Sequence, residues 1–361
     1  MGAVIATQVK KNALITAGGT GGHIFPGLAI AKGLISHGWN VVWVGTTTGM
    51  ENRIVPQQNI QFESIEFSGV RGKGLVSWLT MPLKLLTATL DSSRIIARTK
   101  PDIVIGFGGY VSLPVGIAAK LLAKKLVIHE QNSVIGLSNK ILSYFTKYVF
   151  TAFPNVIANA VVAGNPLRTE FANVTAPEVR FQNRSGPLRV LVIGGSLGAK
   201  FLNETVPEAI KLIAEKDRPI VMHQSGANQF DDLQSLYKRL CVDAIVMPFI
   251  DNTAIAFSDA DLIICRAGAS TVTEITAVGA AALFVPLPSA VDDHQTTNAQ
   301  YLVDHKAAWI QPQRELTPAK LANEILKMNR IVLLDVAKAA KKLNLPNTVS
   351  AIVKACEELA S

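Results

Sequence analysis

The stretch ALITAGGTGGH, at residues 13–23, decides the fold, because an apolar run passes straight into glycines and then into a helical pattern. The same pattern recurs at residues 189–199 as RVLVIGGSLGA. Glycines at a strand-to-helix turn let backbone amides approach an anion, and the helix N-terminus adds partial positive charge. One such turn is also found where a strand and a helix merely pack closely. Two at equivalent places predict two Rossmann-like domains that face each other across a cleft.

Short apolar runs alternate with helical patterns along the rest of the chain, which is typical of βαβ units and a parallel sheet. The predicted strands are residues 13–17, 41–45, 103–106, 125–129 and 148–151, then 189–193, 220–223, 244–247, 262–265 and 282–285. A chain of 361 residues is long enough for about two domains. We therefore predict an α/β protein with an N-terminal domain over residues 1–166 and a C-terminal domain over 167–346. The last helix, about residues 347–361, is expected to pack back on the first domain.

Positive charge is concentrated in the first half of the chain. Residues 1–165 carry 15 Lys/Arg and 6 Asp/Glu, a balance of +9, whereas residues 166–361 carry 20 and 21, a balance of −1. This asymmetry favours an anionic partner for the first domain, unless the charge only keeps the protein soluble. Nucleic acid is the weaker partner, because the chain lacks a zinc-finger pattern, an RNP-like strand and a basic run interleaved with aromatics. An anionic lipid surface is preferred.

The composition argues against a membrane span and against export. The mean hydropathy is +0.29, but Gly, Pro, Asn or His interrupts every long uncharged stretch, so no spanning helix is predicted. Lys10 and Lys11 follow a short apolar stretch, which is the reverse of a signal peptide. The three cysteines show no CxxC spacing, which argues against a disulfide framework and a zinc site.

The first glycine turn fails both common nucleotide motifs. GGTGGH does not supply G-x-G-x-x-G, and the second strand ends at Gly45-Thr46-Thr47 without a carboxylate for a ribose hydroxyl, which disfavours nicotinamide and flavin cofactors. A P-loop is absent as well, which disfavours an ATP or GTP motor. We therefore expect no cofactor.

The densest polar chemistry of the second half is CRAGASTVTE, at residues 265–274. Its loop and first helical turn could hold a diphosphate on free N–H groups, with Glu274 one turn further on for a ribose diol. A capping box of Ser270 or Thr271 with Glu274 would explain the same residues without a ligand. The ligand interpretation is preferred because a second polar row, residues 292–296, follows a buried strand.

Ten motifs occur in order: GGTGGHIFPGLAIA at 18–31, SGVRGKG at 68–74, GFGGYVSLP at 106–114, HEQNSVIGLSNK at 129–140, VAGNPLR at 162–168, GGSLGA at 194–199, HQSG at 223–226, PFID at 248–251, CRAGASTVTE at 265–274 and DDHQTTNA at 292–299. Together they span nearly the whole chain and resemble the motifs of the MurG family, glycosyltransferase family 28. The resemblance implies a GT-B fold, with two Rossmann-like domains whose parallel sheets face a central cleft.

The resemblance implies an inverting hexosyltransferase. Such an enzyme moves N-acetylglucosamine (GlcNAc) from UDP-GlcNAc to the 4-hydroxyl of N-acetylmuramic acid (MurNAc) in undecaprenyl-pyrophosphoryl-MurNAc-pentapeptide (lipid I), giving lipid II and UDP in peptidoglycan synthesis. It also implies a peripheral protein on the cytoplasmic face of the bacterial inner membrane, with cell-wall assembly proteins as further partners. Another GT-B activity, that of a glycolipid glycosyltransferase or a UDP-GlcNAc 2-epimerase, stays open, as does a non-catalytic UDP-sugar-binding scaffold.

The resemblance also assigns binding residues. Thr20, Gly21 and Gly22 belong to the sugar-nucleotide site, and Asn132 reaches the donor sugar. The donor-binding set is Arg168, Ser196, Ile250, Ala269, Ser270, Thr271, Val272, Thr273, Glu274 and Gln295. Ile250 would contact uracil through its backbone, Glu274 the ribose and Gln295 the GlcNAc hydroxyls. Ser196 and the amides of residues 269–271 would hold the diphosphate. Leu197 stands where some relatives have Gln, so no polar contact is expected from it.

Inverting transfer needs a base for the acceptor hydroxyl and positive potential for the departing UDP. His23 is the preferred base, because it follows the glycine turn at a helix start and its ordinary pKa is near 6.5. Glu130 and His129 are the alternatives, and each of the three could instead make only a structural hydrogen bond. We expect backbone amides, helix dipoles and Arg168, without a metal ion, to hold the leaving diphosphate.

The segment RGKGLVSWLTMPLK, at residues 71–84, is the candidate membrane-binding surface. An apolar face edged with Lys/Arg and a Trp is typical of an interfacial helix. The candidate membrane residues are Leu75, Trp78, Leu79 and Leu83. An ordinary helix packed on the sheet is the alternative.

Overall fold

The computed structural model describes residues 10–69, 79–171, 173–195 and 198–361, with Val291 described by its backbone alone. Its contacts divide the chain into two compact units. Unit 1 comprises Met1–Arg168 together with Asn347–Ser361, and unit 2 is Thr169–Pro346.

In its described part, unit 1 is a doubly wound α/β domain. Its strands are β1 (Asn12–Thr16), β2 (Asn40–Thr46), β3 (Gln61–Ile65), β4 (Ile103–Gly106), β5 (Lys125–Glu130), β6 (Tyr148–Thr151) and β7 (Val161–Val162). They form one parallel sheet in the order β3-β2-β1-β4-β5-β6-β7. The helices before unit 2 are α1 (Gly21–Ser36), α2 (Glu51–Ile54), α3 (Met81–Thr99), α4 (Ser112–Leu121) and α5 (Leu137–Leu142).

The core of unit 1 lies on both faces of this sheet. Successive residues of β1 point to opposite faces, so Ile15 joins the cluster around Trp43 and Phe107, while Leu14 joins the one around Ile96. Burial on both faces explains why the strands read as continuous apolar runs. The strand order reverses between β1 and β4, and ligands of open α/β sheets bind at the carboxyl ends of the strands at such a switch point.

In its described part, unit 2 repeats the design. Its strands are β8 (Arg189–Ile193), β9 (Ile220–Gln224), β10 (Ala244–Met247), β11 (Leu262–Cys265), β12 (Ala282–Phe284) and β13 (Trp309–Ile310), in the parallel order β10-β9-β8-β11-β12-β13. The helices are α6 (Pro177–Phe181), α7 (Lys200–Leu212), α8 (Phe230–Arg239), α9 (Thr253–Asp259), α10 (Ala269–Val278), α11 (His294–Asp304), α12 (Pro318–Lys327) and α13 (Arg330–Lys342). Its switch point lies between β8 and β11.

The final helix, α14 (Thr348–Leu359), belongs to unit 1. Its residues Ile352, Val353 and Cys356 are buried in the same cluster as Leu34 of α1. A Cβ at Gly33 would lie 2.8 Å from Val349 and 3.0 Å from Val353, so glycine permits the close approach of α14 to α1.

The prediction of two α/β domains with parallel sheets is confirmed, and all ten predicted strands are present with ends that differ by at most one residue. Three strands were not predicted: Gln61–Ile65, Val161–Val162 and Trp309–Ile310. The first has polar residues at three of five positions, and the other two are only two residues long. Edge strands of this kind lack the apolar run that marks a buried strand.

Candidate functional site

The carboxyl end of β1 carries a tightly constrained glycine turn. Gly19 has φ +91°, Thr20 is extended at the N-cap, and α1 begins at Gly21. Gly109, in the loop after β4, has φ +75°, and a Cβ there would overlap the carbonyl oxygen of Gly18. The two loops of the switch point therefore touch, and glycine is required at the contact.

His23 lies in the first turn of α1 and is half-buried. Its Nδ1 is 3.2 Å from the carbonyl oxygen of Gly18 and 3.3 Å from Oγ1 of Thr20. A carbonyl oxygen can only accept a hydrogen bond, so Nδ1 is the donor, and the neutral ring carries its lone pair on Nε2. Gly108, with φ +84°, leaves space beside the ring, since a Cβ there would lie 3.5 Å from Nε2.

Glu130 organises the loop after β5. The carboxylate is buried and accepts hydrogen bonds from the amides of Asn132 (3.0 Å) and Gly136 (3.0 Å) and from the side chain of Asn139 (2.9 Å). The side chain of Asn132 makes a longer contact of 3.4 Å to the same carboxylate. Glu130 is thus held by donors on both oxygens and orients Asn132, an arrangement better suited to positioning than to proton abstraction.

His129 is buried and engaged at both ring nitrogens. Nε2 donates to the carbonyl oxygen of Gly164 at 2.8 Å, and Nδ1 accepts from the side chain of Gln131 at 3.0 Å. Burial lowers the pKa of His129 to about 4, so the ring is neutral near pH 7. These bonds give His129 the structural role that was the alternative to base catalysis.

Glu51, which the sequence reasoning missed, lies behind the first glycine turn. It is fully buried at the start of α2, and Oε1 accepts from the amide (3.0 Å) and hydroxyl (2.7 Å) of Thr46. Oε2 accepts from the amide of Gly19 at 3.3 Å. The signal that could have revealed it is the cluster of glycines in its neighbourhood, because a Cβ at Gly45 or Gly49 would overlap its side chain.

In unit 2, the turn after β8 is held by a neutral side chain. Gln224, buried at the end of β9, donates to the carbonyl oxygen of Gly195 at 2.9 Å, and its Oε1 accepts from the amide of Ile250 at 3.1 Å. The side chain of Asn203 on α7 donates to the carbonyl oxygen of Ser225 at 2.9 Å. Because the Ile250 amide is used within the unit, a backbone contact with uracil would fall to the Ile250 carbonyl oxygen.

The N-terminus of α10 has the properties of an anion site. Gly268 is its N-cap and provides no side-chain cap, so the capping-box alternative is wrong. The amides of the first turn, residues 269–271, have no acceptor within the helix. The hydroxyl of Ser270 is buried and has no hydrogen-bond partner among the residues that the structure describes. A buried unpaired hydroxyl costs free energy, which an anion at this helix end would recover.

The remaining donor-site candidates of unit 2 surround the same helix end. Val272 is buried, and Thr271 and Glu274 are half-buried in α10. Thr273 uses its hydroxyl within the helix, on the carbonyl oxygen of Ala269 at 2.9 Å. Gln295 accepts at Oε1 from the amides of Ala267 (3.3 Å) and Leu287 (3.0 Å), so it ties the loops after β11 and β12 together and presents its NH₂ group as a donor.

Several candidates lie elsewhere. Arg168 is half-buried and belongs to unit 1. Ser196 and Leu197, and Leu75 and Trp78 of the membrane segment, lie outside the described residues. Thr20 is exposed, and Gly21 and Gly22 are half-buried at the start of α1.

Carboxylates show no metal-binding arrangement in the described ranges, where no group of three His, Cys, Asp or Glu could hold an ion. One Asp-x-Asp spacing occurs, at Asp259-Ala260-Asp261. Asp261 precedes β11, at the end of the sheet opposite to α10, and is buried against Arg184 (2.7 Å) and Arg330 (3.0 Å). That spacing therefore serves a structural ion-pair network.

An apolar stripe is exposed on the first half of α3 and the residue pair before it. Leu79, Leu83, Leu86 and Leu90 recur at spacings of four, three and four, which places them on one helical face. The opposite face packs on the sheet through Ala88, Ile95 and Ile96. Lys84 and Arg94 are exposed on the same helix. Across the described ranges, no helix is long and apolar enough to cross a membrane.

Comparisons with known proteins agree with this geometry. The glycosyltransferase family 28 N-terminal domain matches residues 13–151, and the corresponding C-terminal domain matches residues 189–351. Two relatives, from Acidovorax sp. (strain JS42) and Polaromonas naphthalenivorans (strain CJ2), carry the name UDP-N-acetylglucosamine--N-acetylmuramyl-(pentapeptide) pyrophosphoryl-undecaprenol N-acetylglucosamine transferase. Each is 54% identical over 97% of this chain, covering 88% and 99% of the relative. The crystal structure of Acinetobacter baumannii MurG superposes with a TM-score of 0.84 at 42% identity, covering 96% of this chain and 99% of that one.

Proposed function

The chain belongs to glycosyltransferase family 28, and we propose that it transfers GlcNAc from UDP-GlcNAc to the 4-hydroxyl of MurNAc in lipid I, releasing UDP and lipid II. The observation that carries the proposal is the shared name of relatives that match nearly the whole chain at 54% identity. The substrates named there require a nucleotide site, a base and access to a lipid-linked acceptor. Each requirement has a counterpart among the described residues.

Unit 2 is proposed to bind the donor. The N-terminal turn of α10 and the Ser270 hydroxyl, which has no partner among the described residues, hold the diphosphate, because a helix N-terminus points backbone N–H groups at an anion and adds partial positive charge. Glu274, one turn further along α10, accepts from the ribose hydroxyls. The Ile250 carbonyl oxygen accepts from the N3–H of uracil, and the NH₂ group of Gln295 donates to a GlcNAc hydroxyl.

Unit 1 is proposed to supply the base. Nε2 of His23 takes the proton of the acceptor 4-hydroxyl, and that oxygen forms a bond to C1 of GlcNAc while the bond from C1 to the β-phosphate oxygen breaks. The electron pair of the broken bond leaves on UDP, whose added negative charge is stabilised at the N-terminus of α10. Of the three candidate bases, His23 is favoured because Glu130 and His129 are buried and bound on both sides.

The exposed leucine stripe of α3 is proposed to bind the cytoplasmic surface of an anionic membrane, where the acceptor resides. Buried leucine side chains contribute about 1.5–3 kcal/mol each, and the ammonium group of the exposed Lys84 is attracted to anionic headgroups. The double variant Leu83→Glu/Leu86→Glu should bind phosphatidylglycerol vesicles at least tenfold more weakly in sedimentation assays. Leu212→Glu is the matched control, because Leu212 is 60% exposed on a helix of unit 2, compared with 66% for Leu83 and 56% for Leu86. Equal sedimentation of both variants would refute this surface.

The test of the overall proposal follows UDP release from UDP-GlcNAc in the presence of a lipid I analogue. We expect release that depends on the analogue, with a disaccharide product. Equal release with diacylglycerol would instead indicate a glycolipid glycosyltransferase. Conversion of UDP-GlcNAc without any acceptor would indicate an epimerase, and nucleotide binding without turnover would indicate a scaffold.

A further inference from the structure

The peptide group between Gly18 and Gly19 is held from both sides. Its N–H, on Gly19, donates to Oε2 of Glu51 at 3.3 Å, and its carbonyl oxygen, on Gly18, accepts from Nδ1 of His23 at 3.2 Å. In a trans peptide these two groups point in opposite directions. The carboxylate therefore lies behind the turn, the imidazole lies in front of it, and one peptide connects them.

We propose that Glu51 is a positioning residue that fixes the tautomer of His23 through this peptide group. A carboxylate that accepts from an amide N–H polarises the amide and makes its carbonyl oxygen a stronger acceptor. The stronger acceptor favours the ring with the proton on Nδ1, which leaves the lone pair on Nε2. The arrangement does indirectly what a carboxylate does directly when it orients a catalytic histidine. The inference rests on the proposed role of His23 as the base.

The surroundings of Glu51 indicate a place built for a carboxylate. Both oxygens accept hydrogen bonds, from Thr46 on one side and Gly19 on the other. A Cβ at Gly18 would lie 2.6 Å from Oε1, so the turn itself must be glycine to pass over the side chain. The side chain is fully buried, and its donors come from the end of β2 and from the glycine turn after β1.

Replacing Glu51 by Gln gives a clear expectation. Both carboxylate oxygens accept hydrogen bonds, so in either orientation the NH₂ group of the substituted amide faces another donor. If it faces the Gly19 N–H, the peptide group loses its polarising partner. If it faces Thr46, the side chain loses the hydrogen bonds that anchor it. In Glu51→Gln we expect kcat to fall about tenfold to a hundredfold, by analogy with losses of residues that orient a functional histidine, while KM for UDP-GlcNAc stays unchanged.

The decisive measurement is the tautomer of His23, read from ¹⁵N shifts of the imidazole nitrogens in the full-length protein and assigned with a His23→Gln variant. The wild type should show a protonated Nδ1 and a pyridine-like Nε2, and Glu51→Gln should show a mixture of both tautomers. Glu130→Gln is the matched control, since it alters another buried carboxylate near the same sheet end and should leave the His23 tautomer unchanged. A wild type with the proton on Nε2, or a Glu51→Gln variant with an unaltered tautomer, would overturn the proposal.

A double-mutant cycle separates positioning from a merely structural role. In a His23→Gln background, the further change Glu51→Gln should leave kcat unchanged, because the two residues act through one group. A second loss of similar size would show that Glu51 acts independently of His23. If Glu51→Gln does not fold, Glu51→Asp keeps the charge but withdraws it from Gly19, and it should show the same tautomer mixture to a smaller degree. Normal turnover of His23→Gln with the expected tautomers would refute the proposed base and leave the link itself intact.

Discussion

The two glycine turns, GGTGGH after β1 and GGSLGA after β8, share a position in the fold but differ in what lies behind them. The first is backed by the buried carboxylate of Glu51, the second by the neutral amide of Gln224. The first turn holds an imidazole through Gly18, whereas the second is linked to the backbone of Ile250.

The difference suits the two turns to different chemical roles. A carboxylate directly behind a turn opposes a second negative charge in front of it, so the first turn is poorly suited to a phosphate and well suited to a base. A neutral amide carries no such penalty. Two buried hydroxyls have no hydrogen-bond partner among the described residues, Thr16 Oγ1 on β1 and Ser270 Oγ in the first turn of α10. Only Ser270 lies at a helix N-terminus, the place that favours an anion.

The largest expected effect is that of His23→Gln. If the first turn serves a base, kcat should fall by about 10²–10⁴, while binding of UDP-GlcNAc, measured by calorimetry, stays unchanged. His37→Gln is the control, because His37 caps the other end of the same helix and is exposed. A His23→Gln enzyme with near-normal turnover would remove this histidine, and with it the assigned role of the first turn.

The second effect concerns the buried histidines, one in each unit. Burial lowers the pKa of His129 to about 4 and that of His223 to about 3. In the unfolded chain both imidazoles have a pKa near 6.5 and bind protons below that pH, whereas in the folded chain they stay neutral. The free energy of unfolding therefore falls as the pH drops below about 6.5. Between pH 7 and pH 5 each buried histidine should lower the free energy of unfolding by about 2 kcal/mol.

This pH effect is measured by urea unfolding at pH 7 and pH 5. His129→Gln and His223→Gln should each show a smaller loss between the two pH values than the wild type. Gln keeps a donor for Gly164 at position 129, so that variant is the cleaner comparison. An unchanged loss in both variants would show that other groups govern acid sensitivity.

The sequence predicted more of the fold than of the site. Apolar runs marked ten strands because buried parallel strands are continuous in sequence, and the two glycine turns located both switch points. The roles of Glu51 and Gln224 could not be predicted, because their partners, Gly19 and Gly195, lie 32 and 29 residues away in the chain. Only the folded sheet brings such residues together. The glycines near Glu51 mark a crowded side chain, but they do not indicate which turn that side chain supports. The same limit applied to Glu130, whose bound oxygens could not be read from the motif.

The third prediction concerns the side chains behind the two turns, Glu51 and Gln224, each replaced by the residue type of the other. Gln224→Glu removes the donor to Gly195 and places a negative charge behind the second turn, next to the proposed diphosphate site. We expect KM for UDP-GlcNAc to rise about tenfold to a hundredfold, as for the loss of a buried hydrogen bond with an uncompensated group. Glu51→Gln, in contrast, should lower kcat. Gln182→Glu, an exposed change in the same unit, should alter neither quantity. If both exchanges affected the same kinetic constant, the two turns would not have separate roles.

The smallest expected effect has opposite signs in two measurements. Ser270→Ala removes a buried hydroxyl that has no partner among the described residues, so the unliganded protein should gain up to about 1 kcal/mol in stability. The same change removes a donor to the diphosphate, so KM for UDP-GlcNAc should rise about tenfold. Thr276→Val is the matched control on α10, because its hydroxyl already donates to the carbonyl oxygen of Thr273 at 2.8 Å. That variant should lose stability and keep its KM. A Ser270→Ala protein that lost stability without a change in KM would show that this hydroxyl serves the fold and does not bind the diphosphate.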